Sequence, residues 1–203
     1  GSWLSLLLTS LGAEIYGISL ENKDPNSLFN TLHFWDGNNE EIIDIRNLKK
    51  INHAIKEISP DIIFHLAAQP LVIESYLNPV ETWSTNVMGT ISILEAARSL
   101  NKKTIFIGIT TDKVYQNNEW IYSYRENDRL GGDDPYSSSK AASELAIHAW
   151  KKSFASNSKL IISSARAGNV IGGGDYAKDR IIPDIIRSFT SDSSLNLRNP
   201  NST

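Results

Sequence analysis

The alternation of short apolar runs with longer amphipathic stretches is the feature of this sequence that most constrains its fold. Apolar runs typical of buried strands occupy residues 13–19, 42–45, 61–66, 104–109 and 160–164. Apolar residues at helical spacing predict helices over residues 2–12, 48–58, 79–100, 135–154 and 181–189. Strands that alternate with such helices imply βαβ crossovers and a parallel sheet covered on both faces. The sequence therefore predicts an α/β protein with a doubly wound parallel sheet.

The loops that follow the predicted strands are the expected places for a site, because ligands bind beyond the carboxyl ends of strands in such sheets. These loops begin after residues 19, 66, 110 and 166. The first runs over residues 21–39, and the polar loop 111–134 is long enough to suggest a function. Residues 172–175, Gly-Gly-Gly-Asp, lack the lysine and hydroxyl residue of a P-loop, so we interpret the loop 168–178 as a flexible substrate-side segment.

The start of the chain differs from the usual order of a doubly wound domain, which opens with a strand and a glycine turn before its first helix. This chain opens with the predicted helix itself. Residue 1 could be a natural start, or Gly1 and Ser2 could come from cloning. A parallel sheet without its first strand would leave two neighbouring strands unpaired, so we expect that a strand and a glycine turn precede Gly1.

Composition excludes several classes of protein. The chain is 40% hydrophobic, which argues against disorder, and 20 basic against 23 acidic residues leave no excess charge for nucleic-acid binding. Nothing approaches the ~18 apolar residues of a membrane span. There is no cysteine, and the histidines at 33, 53, 65 and 148 lack metal-ligand spacing, so no metal is predicted. Without signal-peptide features, a cytoplasmic protein is the expectation.

A tyrosine and a lysine four residues apart, Tyr136 and Lys140, project from one face of a predicted helix. A free tyrosine has a pKa of about 10, so its use as a base near pH 7 needs about 4 kcal/mol. One lysine charge at ~6 Å supplies ~3 kcal/mol at an effective dielectric constant of 20, and a bound nicotinamide cation could supply the rest. The pair can thus take a proton from an alcohol during hydride transfer, although such pairs also occur by chance on amphipathic helices.

The segment Thr110-Thr111-Asp112-Lys113 directly follows a predicted strand, where a site belongs. Thr111 can form a hydrogen bond with a sugar hydroxyl. Asp112 offers a carboxyl for proton transfer, and Lys113 offers an amine whose pKa falls readily on burial. A solvated turn is the alternative, but together with Tyr136 and Lys140 the segment favours a catalytic site.

Two further strand ends suggest places for a dinucleotide. Small residues after His65, in the run His-Leu-Ala-Ala-Gln, allow a dinucleotide to approach the backbone, whereas His65 itself is expected to be a core residue. Asp44, with Ile45 and Arg46, could contact an adenine, or Asp44 could cap the helix that follows.

Five segments carry a resemblance to a known family: HLAAQPLV (65–72), TNVMGT (85–90), TTDKVY (110–115), YRENDRLGGDDPYSSSK (124–140) and ARAGNVIGGGD (165–175). They resemble the CDP-glucose 4,6-dehydratases, which belong to the extended short-chain dehydrogenase/reductase family. The Thr-Asp-Lys triplet, with Asp112 24 residues before Tyr136, is more specific than the tyrosine–lysine pair. Ile73 and Glu74 depart from the basic character expected there.

The resemblance implies a Rossmann-like fold, with an NAD-binding domain at 1–166 and the start of a nucleotide-sugar-binding region at 167–203. It also implies a chain truncated at both ends, without its first strand and most of the C-terminal substrate domain, in which Gly1 is the last glycine of the pyrophosphate turn. NAD is then expected along Gly1, Asp44, Ile45, Leu66, Ala67, Ala68, Gln69, Asn86, Tyr136 and Lys140. The substrate is expected at Thr111, Asn169 and Arg180.

The resemblance further implies a mechanism and a partner. Tyr136, assisted by Lys140, removes the C4 hydroxyl proton of CDP-glucose while Thr111 holds that hydroxyl. With NAD⁺ taking the hydride from C4, Lys113 removes the C5 hydrogen and Asp112 protonates the departing C6 hydroxyl. Return of the hydride to C6 then gives CDP-4-dehydro-6-deoxy-glucose for deoxysugar synthesis. Homodimerisation is expected through the helices 79–100 and 135–154.

Several alternatives stay open at this point. The protein could be another nucleotide-sugar 4,6-dehydratase or a 4-epimerase, although an epimerase needs no acid–base pair after its threonine. A catalytically inactive interaction module is a third hypothesis. The residues do not identify the nucleotide base, and the choice of NAD over NADP rests on the resemblance, because Ser19 stands where an acidic residue would decide it.

Overall fold

The computed structural model describes residues 1–22, 24–32, 39–177, 179–197 and 200. The predicted loops 21–39 and 168–178 and the region 167–203 therefore lie partly outside the described residues, and His33 lies wholly outside them. Among these residues, five strands run in chain order: β1 (Gly17–Ser19), β2 (Glu40–Ile42), β3 (Ile62–His65), β4 (Thr104–Thr111) and β5 (Leu160–Ala167).

All pairings between these strands are parallel, as the alternating pattern predicts. Strands β1 and β2 form a two-stranded sheet, and β3, β4 and β5 form a three-stranded sheet in that order. In the register of β4 and β5, Thr110 lies opposite Arg166 and Thr111 lies opposite Ala167. The carboxyl ends of both strands therefore lie at the same edge of the sheet, which is the edge where a site is expected.

The helices connect and cover the strands. The α-helices are α1 (Ser2–Ser10), α2 (Leu28–Thr31), α3 (Leu48–Ile58), α4 (Val72–Leu77), α5 (Pro79–Trp83), α6 (Gly89–Arg98), α7 (Pro135–Ser153) and α8 (Ile181–Thr190). A π-helical segment at Ser84–Met88 joins α5 to α6, and 3-10 turns cover Asp112–Val114 and Ala155–Asn157. Helix α3 has the predicted bounds, and no helix among the described residues is long and apolar enough to cross a membrane.

Several predicted boundaries are wrong, for identifiable reasons. Helix 2–12 ends at Ser10, because Gly12 adopts a positive φ and the amides of Gly12 and Ala13 bond back to Thr9 and Leu8 in a Schellman motif. The predicted strand 13–19 forms only at Gly17–Ser19, because β2 provides a partner only there. That partner covers Glu40–Ile42 rather than 42–45, since the alternation of Ile43 and Ile45 reflects burial in the core.

Other elements are longer, or divided differently, than the sequence predicts. Helix 79–100 consists of α5, the π segment and α6, and the short helix α4 precedes it. Helix α2 lies within the predicted loop 21–39. Strand β4 extends through Thr111 and β5 through Ala167, because parallel pairing between them continues to that point. Thr111 is therefore the last strand residue and not the first residue of the loop.

The core lies between the sheets and helices α3, α6 and α7. It contains fully buried side chains from three elements, Ile51, Leu94 and Phe106, and partly buried Ile18 and Ile63 from the two sheets pack against the same cluster. Ile45 packs on Gly89, where an added Cβ would lie 2.3 Å from the Ile45 Cδ1 atom. The absence of a side chain at Gly89 thus allows helix α6 to approach the segment after β2.

Candidate active site

The carboxyl end of β4 places a threonine hydroxyl at the centre of the site. Thr111 is buried, and its Oγ1 atom donates to Asp112 Oδ1 at 3.0 Å and accepts from the Lys113 amide at 3.3 Å. The hydroxyl therefore caps the 3-10 turn Asp112–Val114. Asp112 and Lys113 extend beyond the strand and are exposed to solvent, so their charges face the space above the sheet edge.

Helix α7 begins beside this turn, and its start is fixed by a strong N-cap. Asp134 Oδ1 accepts from the amides of Tyr136 and Ser137 at 2.9 and 3.0 Å, and the Ser137 side chain completes a capping box. Pro135 occupies the first turn, where its missing N–H costs nothing. Because the helix starts here, Tyr136 lies in its first turn and Lys140 one turn later on the same face.

Tyr136 is buried and lies in contact with the threonine site. Burial raises the pKa of Tyr136 above its ordinary value, and the largest opposing effects are a hydrogen bond with Thr111 and the positive charge of Arg180. The charges of Asp112 and Asp134 raise the pKa further. The phenol is therefore protonated at neutral pH in this structure, and a base at this position needs an additional positive charge.

Lys140 is a buried residue one helical turn beyond Tyr136. Its Nζ atom donates to the Ile109 carbonyl of β4 at 2.9 Å. Burial lowers the pKa of Lys140 to about 8, although the nearby carboxylate of Glu144 acts in the opposite direction. Within the described part of the chain, one of its three N–H groups has an acceptor, the Ile109 carbonyl, so the others are available to a ligand.

The structure brings most of the predicted catalytic residues together. Thr111 contacts both Asp112 and Tyr136, and the charge of Arg180 acts on Tyr136 while its guanidinium pairs with Asp175 at 2.9 Å. Gly168, which directly follows β5, lies beside the carboxylate of Asp112, because a Cβ atom added at Gly168 would be 3.5 Å from Asp112 Oδ2. Asn169 follows it and is exposed. The start of helix α7, with its tyrosine–lysine pair, and the threonine–aspartate–lysine turn therefore lie beside each other.

The end of β3 carries the predicted dinucleotide contacts, supported by a buried amide in the π segment. Asn86 is 1% exposed, and its Oδ1 atom accepts from the Gln69 amide while its Nδ2 atom donates to the Gln69 carbonyl and to Ser139 Oγ. Leu66 is exposed, and Ala67, Ala68 and Gln69 are half-buried. The cofactor contact predicted for Asn86 stays a prediction, because its side chain is engaged within the protein.

His65 is a core residue, as the sequence analysis expects. Its Nε2 atom lies 2.9 Å from Thr90 Oγ1, which donates to the Asn86 carbonyl at 2.6 Å. Burial, with a smaller effect from the charge of Lys140, lowers the pKa of His65 to about 3. The ring is therefore neutral, and its Nε2–H is the donor to Thr90.

The remaining predicted cofactor residues lie near the starts of helices α1 and α3. Asp44 forms a forked pair with Arg46, which includes two bonds from Arg46 Nε at 2.9 and 3.0 Å, and Asn47 rather than Asp44 caps helix α3. Ile45 is buried in the core, and Gly1 is the N-cap of α1. The glycine-rich loop lies close to that helix, because Trp3 Nε1 donates to the Gly173 carbonyl at 3.0 Å.

Glu144 and Arg166 form part of the site that the sequence analysis missed. Glu144 is 6% exposed, and burial would raise its pKa, but hydrogen bonds from Arg166 and Thr110 lower it below the ordinary value. The position of Glu144, four residues beyond Lys140 and so on the same helix face, was a sequence signal that could have placed it near the site.

Among the described residues, no group of three or more His, Cys, Asp or Glu side chains could hold a metal ion.

Comparison with known proteins identifies the family. The family model described as GDP-mannose 4,6 dehydratase matches residues 1–192. The chain belongs to the GDP-mannose 4,6-dehydratase family. Within the curated proteins, it is 47% identical to a CDP-glucose 4,6-dehydratase of Salmonella typhimurium over 98% of this chain and 57% of that protein. It is 31% identical to a dTDP-D-glucose 4,6-dehydratase of Dictyostelium discoideum over 92% of this chain and 44% of that protein.

Solved structures of this dehydratase and epimerase type confirm the Rossmann-like fold. The chain aligns with a UDP-glucose 4-epimerase of Thermotoga maritima, solved with UDP-glucose, at a TM-score of 0.81 and 21% identity, covering 96% of this chain and 60% of that one. It aligns with a dTDP-glucose 4,6-dehydratase of Bacillus anthracis, solved with NAD, at a TM-score of 0.75 and 23% identity, covering 95% and 58%. The chain thus spans about half the length of the curated dehydratases and of these solved chains.

Proposed function

We propose that the protein carrying this chain converts CDP-glucose to CDP-4-dehydro-6-deoxy-glucose and water. The observation that carries the proposal is the Thr111 hydroxyl, which donates to Asp112 at 3.0 Å and lies close enough to the Tyr136 phenol to lower its pKa. A residue set for oxidising C4 therefore adjoins a set for removing water across C5 and C6. The 47% identity to a CDP-glucose 4,6-dehydratase supports this choice of substrate.

Oxidation at C4 is assigned to the residues of helix α7 and the end of β4. Thr111 binds the C4 hydroxyl, and Tyr136 takes its proton in the phenolate form. Burial keeps that phenol protonated in this structure, so Tyr136 acts as a base only when positive charge is added beside it. Lys140 lies one turn away and, with a pKa of about 8, is mostly an ammonium at neutral pH.

Water loss is assigned to the turn that follows β4. The C4 ketone acidifies the C5 hydrogen, and the exposed amine of Lys113, in its neutral form, removes this hydrogen as a proton. Asp112, in its protonated form, donates to the departing C6 oxygen, which leaves as water. Both residues extend beyond the strand toward solvent and share the turn that Thr111 caps, so one hexose can reach both of them and Tyr136.

The residues present fit a dinucleotide of the NAD type. Small side chains at Ala67 and Ala68 follow β3, and the buried Lys140 has N–H groups free for ribose hydroxyls among the described residues. NAD⁺, when bound, would accept a hydride from C4 and return it to C6. The cofactor contacts that the resemblance implies, together with Asn169 and Arg180 toward the substrate, are part of this proposal. The proposal also includes a dinucleotide-binding region that ends at residue 166 and a sugar-binding region that begins at residue 167.

We also propose that the protein forms a homodimer through the helices over 79–100 and 135–154. Apolar side chains on these helices are exposed: Val80 is 82% exposed, Met88 52% and Leu145 60%. Exposed apolar groups of this size on neighbouring helices are typical of an interface. A cytoplasmic location remains a prediction.

The test of the proposed function uses the intact protein that carries these residues. Incubation with NAD⁺ and CDP-glucose, dTDP-glucose or UDP-glucose, with identification of the products, separates dehydration from epimerisation and identifies the nucleotide. We expect a 4-dehydro-6-deoxy product from CDP-glucose. A 4-epimer as the product, or conversion of another sugar nucleotide in preference to CDP-glucose, would contradict the proposal.

Lys113→Met tests the assignment of the base. The variant should bind NAD⁺ as the wild type does and lose exchange of the C5 hydrogen with solvent, with turnover reduced 10²–10⁴-fold, as is usual for loss of a general base. Lys103→Met is a matched control, because Lys103 is exposed at the opposite end of β4. Turnover by Lys113→Met equal to that of Lys103→Met would refute the assignment.

A further inference from the structure

We propose that Glu144 and Arg166 are a pair of positioning residues. The pair fixes the turn Asp112–Val114 (the catalytic turn), which follows β4, against helix α7. The inference rests on the proposed function, because it concerns the same site. It goes beyond that function by assigning a role to two residues that touch none of the reacting atoms. Both residues are strongly buried, with 6% of the Glu144 side chain and 17% of the Arg166 side chain exposed.

Glu144 connects helix α7 to the residue before the catalytic turn. It lies on the same helix as Tyr136 and Lys140, at successive four-residue steps, so the three side chains share one face. Its Oε1 atom accepts from Thr110 Oγ1 at 2.6 Å, and its Oε2 atom accepts from Ser164 Oγ at 3.1 Å. The helix that carries the base is thereby bonded to β4 immediately before Thr111.

Arg166 connects the same carboxylate to the residues after the catalytic turn. Its Nε and Nη2 atoms donate to the two Glu144 oxygens at 3.0 and 3.3 Å, which is a forked geometry. The guanidinium lies 4.7 Å from the centre of the Tyr115 ring, and its Nη1 atom donates to the Glu126 carbonyl at 3.0 Å. Tyr115 directly follows the turn. The ion pair therefore contacts Thr110 before residues 111–114 and Tyr115 after them.

A buried pair with these contacts can control the geometry of the reaction without joining it. The turn carries the exposed residues Asp112 and Lys113, whereas Thr110 before it and Tyr115 after it are bonded or stacked to the pair. A misplacement of about 1 Å at a reacting group can reduce the rate about 10²-fold. Loosening the pair should therefore lower kcat more than it changes KM.

The test compares Arg166→Lys and Glu144→Gln with the wild-type intact protein and measures two things. Arg166→Lys keeps the positive charge but loses the fork, and we expect kcat with CDP-glucose to fall about 10²-fold while KM changes less. Amide hydrogen exchange should rise over residues 112–131, where the Gln116 and Gly131 amides bond to the carbonyls of Arg129 and Val114. The double variant should be no slower than the slower single variant, because the two residues act as one unit.

Arg98→Lys is the matched control. Arg98 also pairs with a glutamate, Glu95, through Nε at 2.9 Å and also lies over an aromatic ring, Phe154, at 4.9 Å, but it is at the end of helix α6. We expect it to change neither kcat nor exchange over residues 112–131. Thermal unfolding midpoints above the assay temperature would establish that every variant is folded.

The outcomes separate the two proposals. Exchange over residues 112–131 that stays at the wild-type level in Arg166→Lys, or rises there with an unchanged kcat, overturns the positioning role. If the wild type converts no sugar nucleotide, the proposed function fails, and the exchange comparison alone decides whether the pair fixes the turn. Multiplying losses in the double variant would show that Glu144 and Arg166 act separately, which also overturns the proposal.

Discussion

At the scale of single residues, burial dominates the protonation of the two central groups on helix α7. It raises the pKa of Tyr136 and lowers that of Lys140, because it disfavours the charged form of each. The sequence predicts that a nearby lysine charge assists the tyrosine, but burial acts in the opposite direction. In the structure, Thr111 and Arg180 provide the largest effects that lower the tyrosine pKa, and neither was predicted to do so.

The lowered pKa of Lys140 has a consequence for stability. Its value of about 8 in the folded protein lies below the ordinary 10.5, so between these pH values the unfolded chain binds more protons than the folded one. The free energy of unfolding contributed by Lys140 should therefore rise with pH across this window, by about 3 kcal/mol in total. Chemical denaturation of wild type and Lys140→Met from pH 7 to pH 10.5 measures the difference.

In Lys140→Met this pH-dependent contribution should be absent, so the gap in stability between the two proteins should shift in favour of the wild type as pH rises. A gap that stays constant would mean that Lys140 titrates at its ordinary pKa in the folded protein, and a gap that shifts the other way would mean that folding raises its pKa.

At the scale of secondary-structure elements, the sequence predicts well where local signals are complete. Helix α3 is predicted correctly because apolar residues repeat at helical spacing and Pro60 follows its end, although its N-cap is Asn47 and not Asp44. The π segment at Ser84–Met88 is not predicted, because it depends on bonds from Asn86 to Gln69 and Ser139, which are distant in sequence. For the same reason, Arg166 and Glu144, 22 residues apart in different elements, escaped the sequence analysis.

The N-cap of helix α7 offers a test at this scale. Asp134→Ala removes the acceptor of the Tyr136 and Ser137 amides, and the free energy of unfolding should fall by about 0.5–2 kcal/mol. Because Tyr136 lies in the first turn, turnover should fall as well. Equilibrium unfolding in denaturant and steady-state kinetics of the intact protein measure the two effects.

Asn47→Ala is the matched control, since Asn47 caps helix α3 by accepting from the Lys50 amide at 3.1 Å and is on a different helix from Tyr136. It should cost similar stability and leave kcat unchanged. If Asp134→Ala lost stability without any loss of turnover, the start of α7 would not position the tyrosine.

At the scale of the whole molecule, the strand ends of one parallel sheet assemble residues from three parts of the chain. Register places Thr111 of β4 opposite Ala167 of β5, and α7 adds Tyr136 beside them. The alternating pattern predicts this meeting of strand ends, because all parallel strands of a sheet point the same way. It does not predict the exact bonds at the site, which depend on side-chain packing between elements.

The proposed homodimer is tested at this scale by charge substitution. Val80→Arg and Leu145→Arg place a charge on exposed apolar positions, and we expect each to shift the protein from dimer to monomer in analytical ultracentrifugation. Ile121→Arg is a control, because Ile121 is 93% exposed in the loop before α7. A wild type that sediments as a monomer, or variants that sediment like the wild type dimer, would contradict the interface.

The most direct measurement of the central claim follows a deuterium label from C4 of CDP-glucose in ordinary water. If Thr111, Asp112, Lys113 and Tyr136 act on one hexose in one pocket, the deuterium should appear at C6 of the same sugar. In a parallel reaction of unlabelled CDP-glucose in deuterium oxide, C5 of the product should carry deuterium from the solvent. Deuterium lost to solvent, retained at C4, or transferred to another sugar molecule would contradict the account.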